Sequence, residues 1–115
     1  MSRRSHSRSA AARRAPANVF AALGDETRLS LVRKLCRGEP RSISQLTAGS
    51  RISRQAITKH LRVLERARIV RCVRAGRQSL FAFNPQPVEK IRHYLEFVSE
   101  QWDHALARLK AFVEE

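Results

Sequence analysis

The chain has few of the residues that build disulfide-bonded, membrane-spanning or catalytic proteins. Its 115 residues include two cysteines, Cys36 and Cys72, which form neither a disulfide framework nor a paired metal-binding motif. Its apolar runs are only a few residues long, so no segment is expected to span a membrane, and the basic N-terminal residues lack the apolar anchors that would hold them on a membrane surface. The sequence contains no convincing Ser-His-Asp set, carboxylate pair or glycine-rich phosphate loop, so we do not expect an enzyme.

Acidic residues are also scarce. The sequence has 10 Asp and Glu against 23 Lys and Arg, which gives a formal net charge of +13. Such an excess predicts a polyanionic partner, either nucleic acid or an anionic membrane. The length allows one small domain, whose modest core would be helped by pairing with a second copy. The cysteine usage is typical of a reducing compartment.

Residues 1–16 are predicted to form a disordered basic tail. They contain five arginines and no acid, and no apolar segment follows them as in a secretory signal. Their composition also overlaps with that of organelle transit peptides. Such an arm can contact phosphates or enter a minor groove, or it can have no role in binding.

The folded part is predicted to begin with two helices, over 17–23 and 26–37. Gly24 ends the first helix, and Asp25 is placed to accept hydrogen bonds from the first turn of the second. Leu29, Val32 and Leu35 give the second helix an apolar stripe, and Gly38-Glu39-Pro40 ends it.

Two capped helices separated by a tight turn come next. Ser42 and Gln45 have the spacing of a capping box, and Gly49 supplies the turn. Ser53 then caps a second helix, and the pair Ile52 and Ile57 is spaced as a hydrophobic staple that fixes the angle between the helices. This order predicts a helix-turn-helix.

The second of these helices has one apolar and one polar face. At about 100° per residue, one arc contains the residues Ala56, Ile57, His60, Leu61 and Leu64. We predict DNA contacts from the start of this helix and its polar face, through Ser53, Arg54, Gln55, Thr58, Lys59 and Arg62. An ordinary solvated helix face has similar composition, but the preceding helix, turn and cap favour DNA recognition. His60 is expected at the edge of the core and not as a base reader.

A β-hairpin is predicted after this helix. Residues 69–74 and 78–83 alternate in polarity around the turn Ala75-Gly76-Arg77. Arg74 and Arg77 would lie at its tip, where they can contact the sugar-phosphate backbone. Between Arg51 and Arg77 the sequence has nine Lys or Arg and one acid, Glu65.

A long helix is predicted over 87–114. Its apolar residues follow a heptad-like 3-4 spacing through Val88, Ile91, Leu95, Val98, Trp102, Ala105, Leu109 and Phe112. At about 1.5 Å per residue the helix is roughly 40 Å long, which exceeds what a small domain can cover. We therefore predict a dimer interface containing Ile91, Leu95, Val98, Trp102 and Leu109, with an intramolecular core helix as the alternative.

Two stretches resemble the ArsR/SmtB family of bacterial winged-helix repressors. They are residues 20–28, Phe-Ala-Ala-Leu-Gly-Asp-Glu-Thr-Arg, and residues 53–64, Ser-Arg-Gln-Ala-Ile-Thr-Lys-His-Leu-Arg-Val-Leu, and the wing agrees with them. The resemblance covers residues 17–115. It implies a homodimer joined by the first and last helices, which adds Val19 and Phe20 to the interface. It also implies two recognition helices on an inverted-repeat operator, and a location on the nucleoid of the bacterial cytoplasm.

The signal-sensing residues of the family are where the sequence departs from it. Metal-sensing members use closely spaced cysteines in the first helix of the helix-turn-helix, and residues 43–48 contain none. His93 and Glu96 match half of another metal motif, but the other half is missing, so we predict no metal site and no cofactor. Some members sense oxidants through a cysteine pair. For Cys36 and Cys72 we expect buried, inert thiols.

The sequence therefore predicts a mainly α-helical protein with a small β-hairpin, a winged helix-turn-helix with a long C-terminal dimerisation helix. Its predicted function is that of a dimeric, sequence-specific DNA-binding repressor. Two alternatives remain: a repressor gated by a ligand, metal or oxidant, and an architectural DNA-binding protein of low specificity. The sequence does not identify an inducer.

Overall fold

A computed structural model describes residues 16–114, so the predicted basic tail lies outside the described residues except for Pro16. The described chain forms five helices: α1 (16–23), α2 (Glu26–Cys36), α3 (Ile43–Thr47), α4 (Arg54–Arg66) and α5 (Gln86–Glu114). It also forms three strands: β1 (Arg41–Ser42), β2 (Val70–Ala75) and β3 (Gln78–Phe83). The predicted winged helix-turn-helix with a long last helix is confirmed.

Three predicted helix caps are present. The Asp25 carboxylate accepts a hydrogen bond from the backbone N–H of Arg28 at 3.0 Å. The Ser42 hydroxyl accepts from the Gln45 N–H at 3.2 Å, and the Gln45 side chain accepts from the Ser42 N–H at 2.9 Å. Ser53 accepts from the third residue beyond it in the same way, at 3.1 Å. Each cap satisfies a backbone donor that has no partner inside its helix.

The sheet is larger than predicted by one strand. The expected hairpin is present, but β1 also pairs antiparallel with β3, which gives the strand order β1-β3-β2. The hairpin turn is shorter than predicted, because Ala75 pairs with Gln78 and only Gly76 and Arg77 connect the strands. Gly76 has a φ of 64°, a conformation that glycine adopts at little cost in a two-residue turn.

The core lies between the helices and the inner face of the sheet. Its buried residues are Val19, Ala22, Leu31, Leu35, Leu46, Ile57, Leu61, Leu64, Ile69, Val70, Phe81 and Ile91. Two residues predicted at the dimer interface, Val19 and Ile91, thus belong to the core of a single protomer, with 5% and 6% of their surface exposed. They anchor α1 and the start of α5 to the domain.

Beyond Ile91, α5 leaves the domain and its apolar side chains become exposed. Trp102 has 67% of its surface exposed, and Leu95 and Leu109 are also exposed, while Val98 is half-buried. Among the described residues, no helix combines the length and the apolarity required to cross a bilayer.

Candidate nucleic-acid interface

The turn between α3 and α4 is built from local hydrogen bonds. Gly49 adopts a φ of 74°, and the Ser50 N–H donates to the Thr47 carbonyl at 2.9 Å. The Ser50 hydroxyl then accepts from the Ile52 N–H at 3.0 Å. Ile52 packs against the core cluster that contains Ile57, which agrees with the predicted staple. These contacts fix how α4 leaves the turn, and therefore which face it exposes.

α4 has the two faces that were predicted from its sequence. Ile57, Leu61 and Leu64 are buried. On the other side, Arg54, Gln55, Lys59 and Arg62 are exposed, so their polar groups are accessible to a partner. Arg54 also donates from Nη1 to the Ser44 hydroxyl at 3.4 Å, which directs its guanidinium group toward α3.

Two predicted DNA-contact residues already have structural hydrogen bonds. Thr58 is half-buried, and its hydroxyl donates to the Arg54 carbonyl at 2.8 Å. The Ser53 hydroxyl accepts the N–H that caps α4. Thr58 has used its only donor inside the helix and can still accept a hydrogen bond, whereas Ser53 accepts at the cap and keeps its O–H free to donate, for example to a phosphate oxygen.

The wing places two further cations beside its tip. Arg74 pairs with Ser79 in the ladder, and Arg77 occupies the turn itself. Both side chains are exposed. Because they belong to a hairpin and not to α4, they lie at the edge of the surface, where contacts to a phosphate backbone are expected.

The positive charge of this surface is not neutralised by acidic neighbours. All nine Lys and Arg from Arg51 to Arg77 are exposed. The salt bridges found among residues 16–114 join Asp25 to His60 or lie along α5, and none involves these nine cations. We call this set of exposed cations on α4, its flanking turns and the wing the basic face. A surface of this kind attracts a polyanion through long-range electrostatics.

A cluster of ionisable side chains links α4 to the first two helices. His60 is half-buried, as predicted, and its Nδ1 lies 3.3 Å from Nη1 of Arg28 and 3.8 Å from the Asp25 carboxylate. Arg28 also donates to the carbonyls of Ala21 and Ala22 at the end of α1. The backbone N–H of Arg28 lowers the pKa of Asp25. One arginine thus joins α1, α2 and α4, so α4 is held against the first two helices.

The expectation that both cysteines are buried is wrong. Cys36 lies at the end of α2 and Cys72 in β2, and both are exposed free thiols. Desolvation by neighbouring groups raises the pKa of the Cys36 thiol, which lowers the fraction of reactive thiolate. His93 and Glu96 form an exposed pair at 3.8 Å. Within residues 16–114, no three His, Cys, Asp or Glu side chains are grouped closely enough to share a metal ion.

The exposed apolar stripe of α5 includes residues that the heptad interpretation omitted. On a straight helix with about 100° per residue, Leu106 and Val113 lie within about 40° of Trp102, whereas Phe112 lies about 80° away. Both Leu106 and Val113 are exposed. A spacing of 11 residues from Ile91 to Trp102 to Val113 was the available signal, because 11 residues complete about three turns of a straight helix. We define the α5 stripe as Leu95, Val98, Trp102, Leu106, Leu109 and Val113.

The other predicted interface residue, Phe20, lies beside α5. It is exposed, and its ring centroid is 6.4 Å from that of Tyr94, with the rings tilted at 60°. This contact extends the exposed apolar surface from α5 onto α1.

Comparison with known proteins agrees with this geometry. A family model described as a helix-turn-helix domain matches residues 23–73. The chain is 32% identical over 93 residues to the HTH-type transcriptional regulator Rv2034 of Mycobacterium tuberculosis, covering 81% of this chain and 83% of that protein.

Solved structures share the whole fold. An ArsR-like transcriptional regulator from Rhodococcus sp. RHA1 is 37% identical, with a TM-score of 0.74 over 85% of this chain and 92% of that one. The homodimeric winged helix-turn-helix DNA-binding domain of Mb0332 from Mycobacterium bovis, a possible ArsR-family regulator, is 20% identical. Its TM-score is 0.64 over 82% of this chain and 86% of that one, a likeness of fold alone. The exposed basic face of α4 and the wing agree with these similarities. The chain therefore belongs to the ArsR family of winged helix-turn-helix, DNA-binding transcriptional regulators.

Proposed function

We propose that this regulator is a homodimeric repressor that binds an inverted-repeat operator, with one α4 helix in each of two successive major grooves. The observation that carries the proposal is that one protomer exposes two surfaces of different chemistry. The basic face is exposed and forms no salt bridge with an acidic residue in the described part of the chain, and the α5 stripe is largely exposed and apolar. The first fits DNA, and the second fits a copy of itself. In the cell, such a protein would act on the bacterial nucleoid.

The α5 stripe supports the dimer. A soluble protomer with a row of exposed Leu, Val and Trp side chains lowers its free energy when the row is removed from water. A two-fold axis across α5 would bring two identical stripes together, and Phe20 with Tyr94 would widen the contact. The homodimeric relative from M. bovis has the same fold.

The basic face supports sequence-specific recognition. Gln55 and Lys59 are exposed near the start of α4, where a recognition helix usually reads base edges. An amide can pair with adenine N6 and N7, while Arg54 and Arg62 can pair with guanine or phosphate. Arg74 and Arg77 on the wing would contact the sugar-phosphate backbone of the flanking DNA, which positions the protein without reading its sequence.

Selection of bound sites from random DNA tests this function directly. We expect an inverted repeat whose half-sites are separated by about one helical turn. Gln55→Ala should reduce affinity for the selected site by about 1–3 kcal/mol and leave random DNA nearly unchanged. Arg77→Ala should weaken binding to both DNAs and lower the salt slope.

Arg108→Ala is a matched control, because it removes one exposed charge from α5 at a position away from the stripe. It should leave both affinities nearly unchanged. A different outcome, in which Gln55→Ala weakens random and selected DNA equally, would favour the architectural, low-specificity function. Selection without any enriched sequence would contradict the proposal.

A further inference from the structure

A cleft lies at the opposite end of α4 from Gln55 and Lys59, and two cations of the basic face, Arg66 and Arg68, line it. We propose that the cleft between α1, the end of α4 and the first turn of α5 binds a small organic anion with an apolar body, such as an aromatic carboxylate. The cleft has a volume of about 570 Å³ and is open to solvent. This size lies within the range of small-molecule sites in proteins.

The inner wall of the cleft is apolar. Val19 and Ala22 of α1 and Ile91 of α5 line it, and all three are buried core residues. Their backbone positions are therefore fixed by packing, and the wall exists without a ligand. An aromatic ring or a short alkyl chain placed against this wall would be removed from water, which is the favourable part of binding.

The rim of the cleft is cationic. Arg66 and Arg68 at the end of α4 and Lys90 on α5 line it, and no acidic residue occurs among its described lining residues. None of the three takes part in a salt bridge within residues 16–114. A carboxylate can accept two parallel hydrogen bonds from one guanidinium group, so this rim suits a carboxylate more than a neutral polar group.

The backbone at Arg68 is an independent sign that its side chain is used. Arg68 has a φ of 62°, and within residues 16–114 it is the only residue other than glycine with a positive φ. Its N–H donates to the Glu65 carbonyl at 2.9 Å, and the Ile69 N–H donates to the Leu64 carbonyl at 3.0 Å. These two bonds form a Schellman motif, in which glycine is preferred at the position that Arg68 occupies.

Arginine in this left-handed conformation costs stability relative to glycine. The Asn84 side chain donates to the Arg68 carbonyl at 2.8 Å and so helps to hold the strained turn. Strain of this kind is found preferentially at functional sites. Glycine at this position would make the protein more stable, yet the chain has an arginine there, at the rim of an apolar cleft. Binding of an anion by its guanidinium group explains why an arginine occupies this position.

Titration calorimetry with the full chain at physiological salt tests the site. The probe is 4-phenylbutyrate, and its neutral counterpart is 4-phenylbutyramide. We expect the acid to bind and the amide to bind at least about tenfold more weakly, because the amide cannot form the charge-assisted bonds. Arg68→Gly and Lys90→Met should each weaken binding of the acid by about tenfold or more.

Two controls separate this site from other effects. Arg71→Ala removes an exposed charge from β2 outside the cleft and should retain the binding of the acid, so an equal loss there would indicate general attraction by the net charge. Arg68→Gly should unfold at the same or a higher temperature than the natural chain, which excludes misfolding as the cause of its loss.

Three results would overturn the proposal: no binding of the acid at millimolar concentration, equal binding of acid and amide, or equal losses in the Arg68 and Arg71 variants. If Arg68→Gly instead weakens DNA binding and leaves the acid unaffected, Arg68 contacts a phosphate of the operator and the anion site is refuted. The calorimetry contains no DNA, so its outcome is independent of the operator experiment.

Discussion

Replacing Trp102 by glutamate should dissociate the dimer while leaving each domain folded. Trp102 lies in the middle of the α5 stripe and has 67% of its surface exposed in the protomer. In the proposed dimer it would be covered by the partner. The variant removes an apolar contact from both protomers and introduces two carboxylates that would lose their water on association.

The size of the effect follows from the exposed area. A tryptophan side chain contributes roughly 150–250 Å² when buried, and two thirds of this is about 100–170 Å². At about 25 cal/mol per Å², the variant would lose about 2.5–4 kcal/mol of association free energy for each protomer, and about twice as much for the symmetric dimer. Since about 1.4 kcal/mol corresponds to a tenfold change, the dimer dissociation constant should rise by about a thousandfold or more.

Sedimentation equilibrium over a range of protein concentrations measures this constant, and circular dichroism reports whether the helices persist. Ala107→Glu is a matched control, because it places the same carboxylate on the same helix about 140° away from Trp102. It should remain dimeric. A folded Trp102→Glu variant that dimerises as tightly as the natural chain would refute the assignment of the α5 stripe as the interface.

Four further outcomes are expected. Ser53→Ala removes the α4 cap and should lower the free energy of unfolding in urea by about 1 kcal/mol, whereas Ser99→Ala on the exposed side of α5 should change it by less than about 0.5 kcal/mol. The pKa of Asp25 lies below its usual value of 3.8 in the folded chain, so its contribution to stability is present above that pH and is lost as the pH falls through the folded pKa. Asp25→Asn should therefore flatten the fall in stability on acid titration followed by circular dichroism. Deletion of residues 2–15 should leave the thermal midpoint nearly unchanged and reduce the salt slope of DNA binding by at most about 0.9 for each phosphate that the tail neutralises, as fluorescence anisotropy would measure. Zinc at modest excess should leave operator affinity within about threefold in the same assay, because residues 16–114 contain no group of three metal-binding side chains; a zinc effect abolished by His93→Ala would contradict this.

The local features of the fold could be predicted from the sequence because they depend on short distances along the chain. A cap joins a side chain to a backbone N–H three residues away, so Asp25, Ser42 and Ser53 could be recognised from spacing alone. The two faces of α4 follow from the period of a helix, which is also local. These features were sufficient to predict the recognition helix and its exposed polar residues.

Other features depend on residues that are distant in sequence, and only the tertiary structure decided them. The contact between Arg28 and His60 spans 32 positions. The pairing of β1 with β3 joins Arg41 to Phe81, and a two-residue strand has no periodicity that could predict it. The exposure of Cys36 and Cys72 likewise follows from what the folded chain packs around them, which no local pattern encodes.

The long helix α5 shows which of its features could be predicted from the sequence and which only the tertiary structure decided. Its apolar spacing predicted one seam from Val88 to Phe112, but the folded domain buries Ile91 of this seam in its own core and leaves Trp102 exposed. Just after the C-terminal end of α4, Arg68 adopts a left-handed backbone conformation. A glycine at this position would have predicted such a turn, but the sequence has an arginine there. Periodicity along a chain determines which side chains share a face. Whether that face is covered by the same protomer, by a partner or by a ligand depends on packing between distant segments, which exists only after the chain has folded.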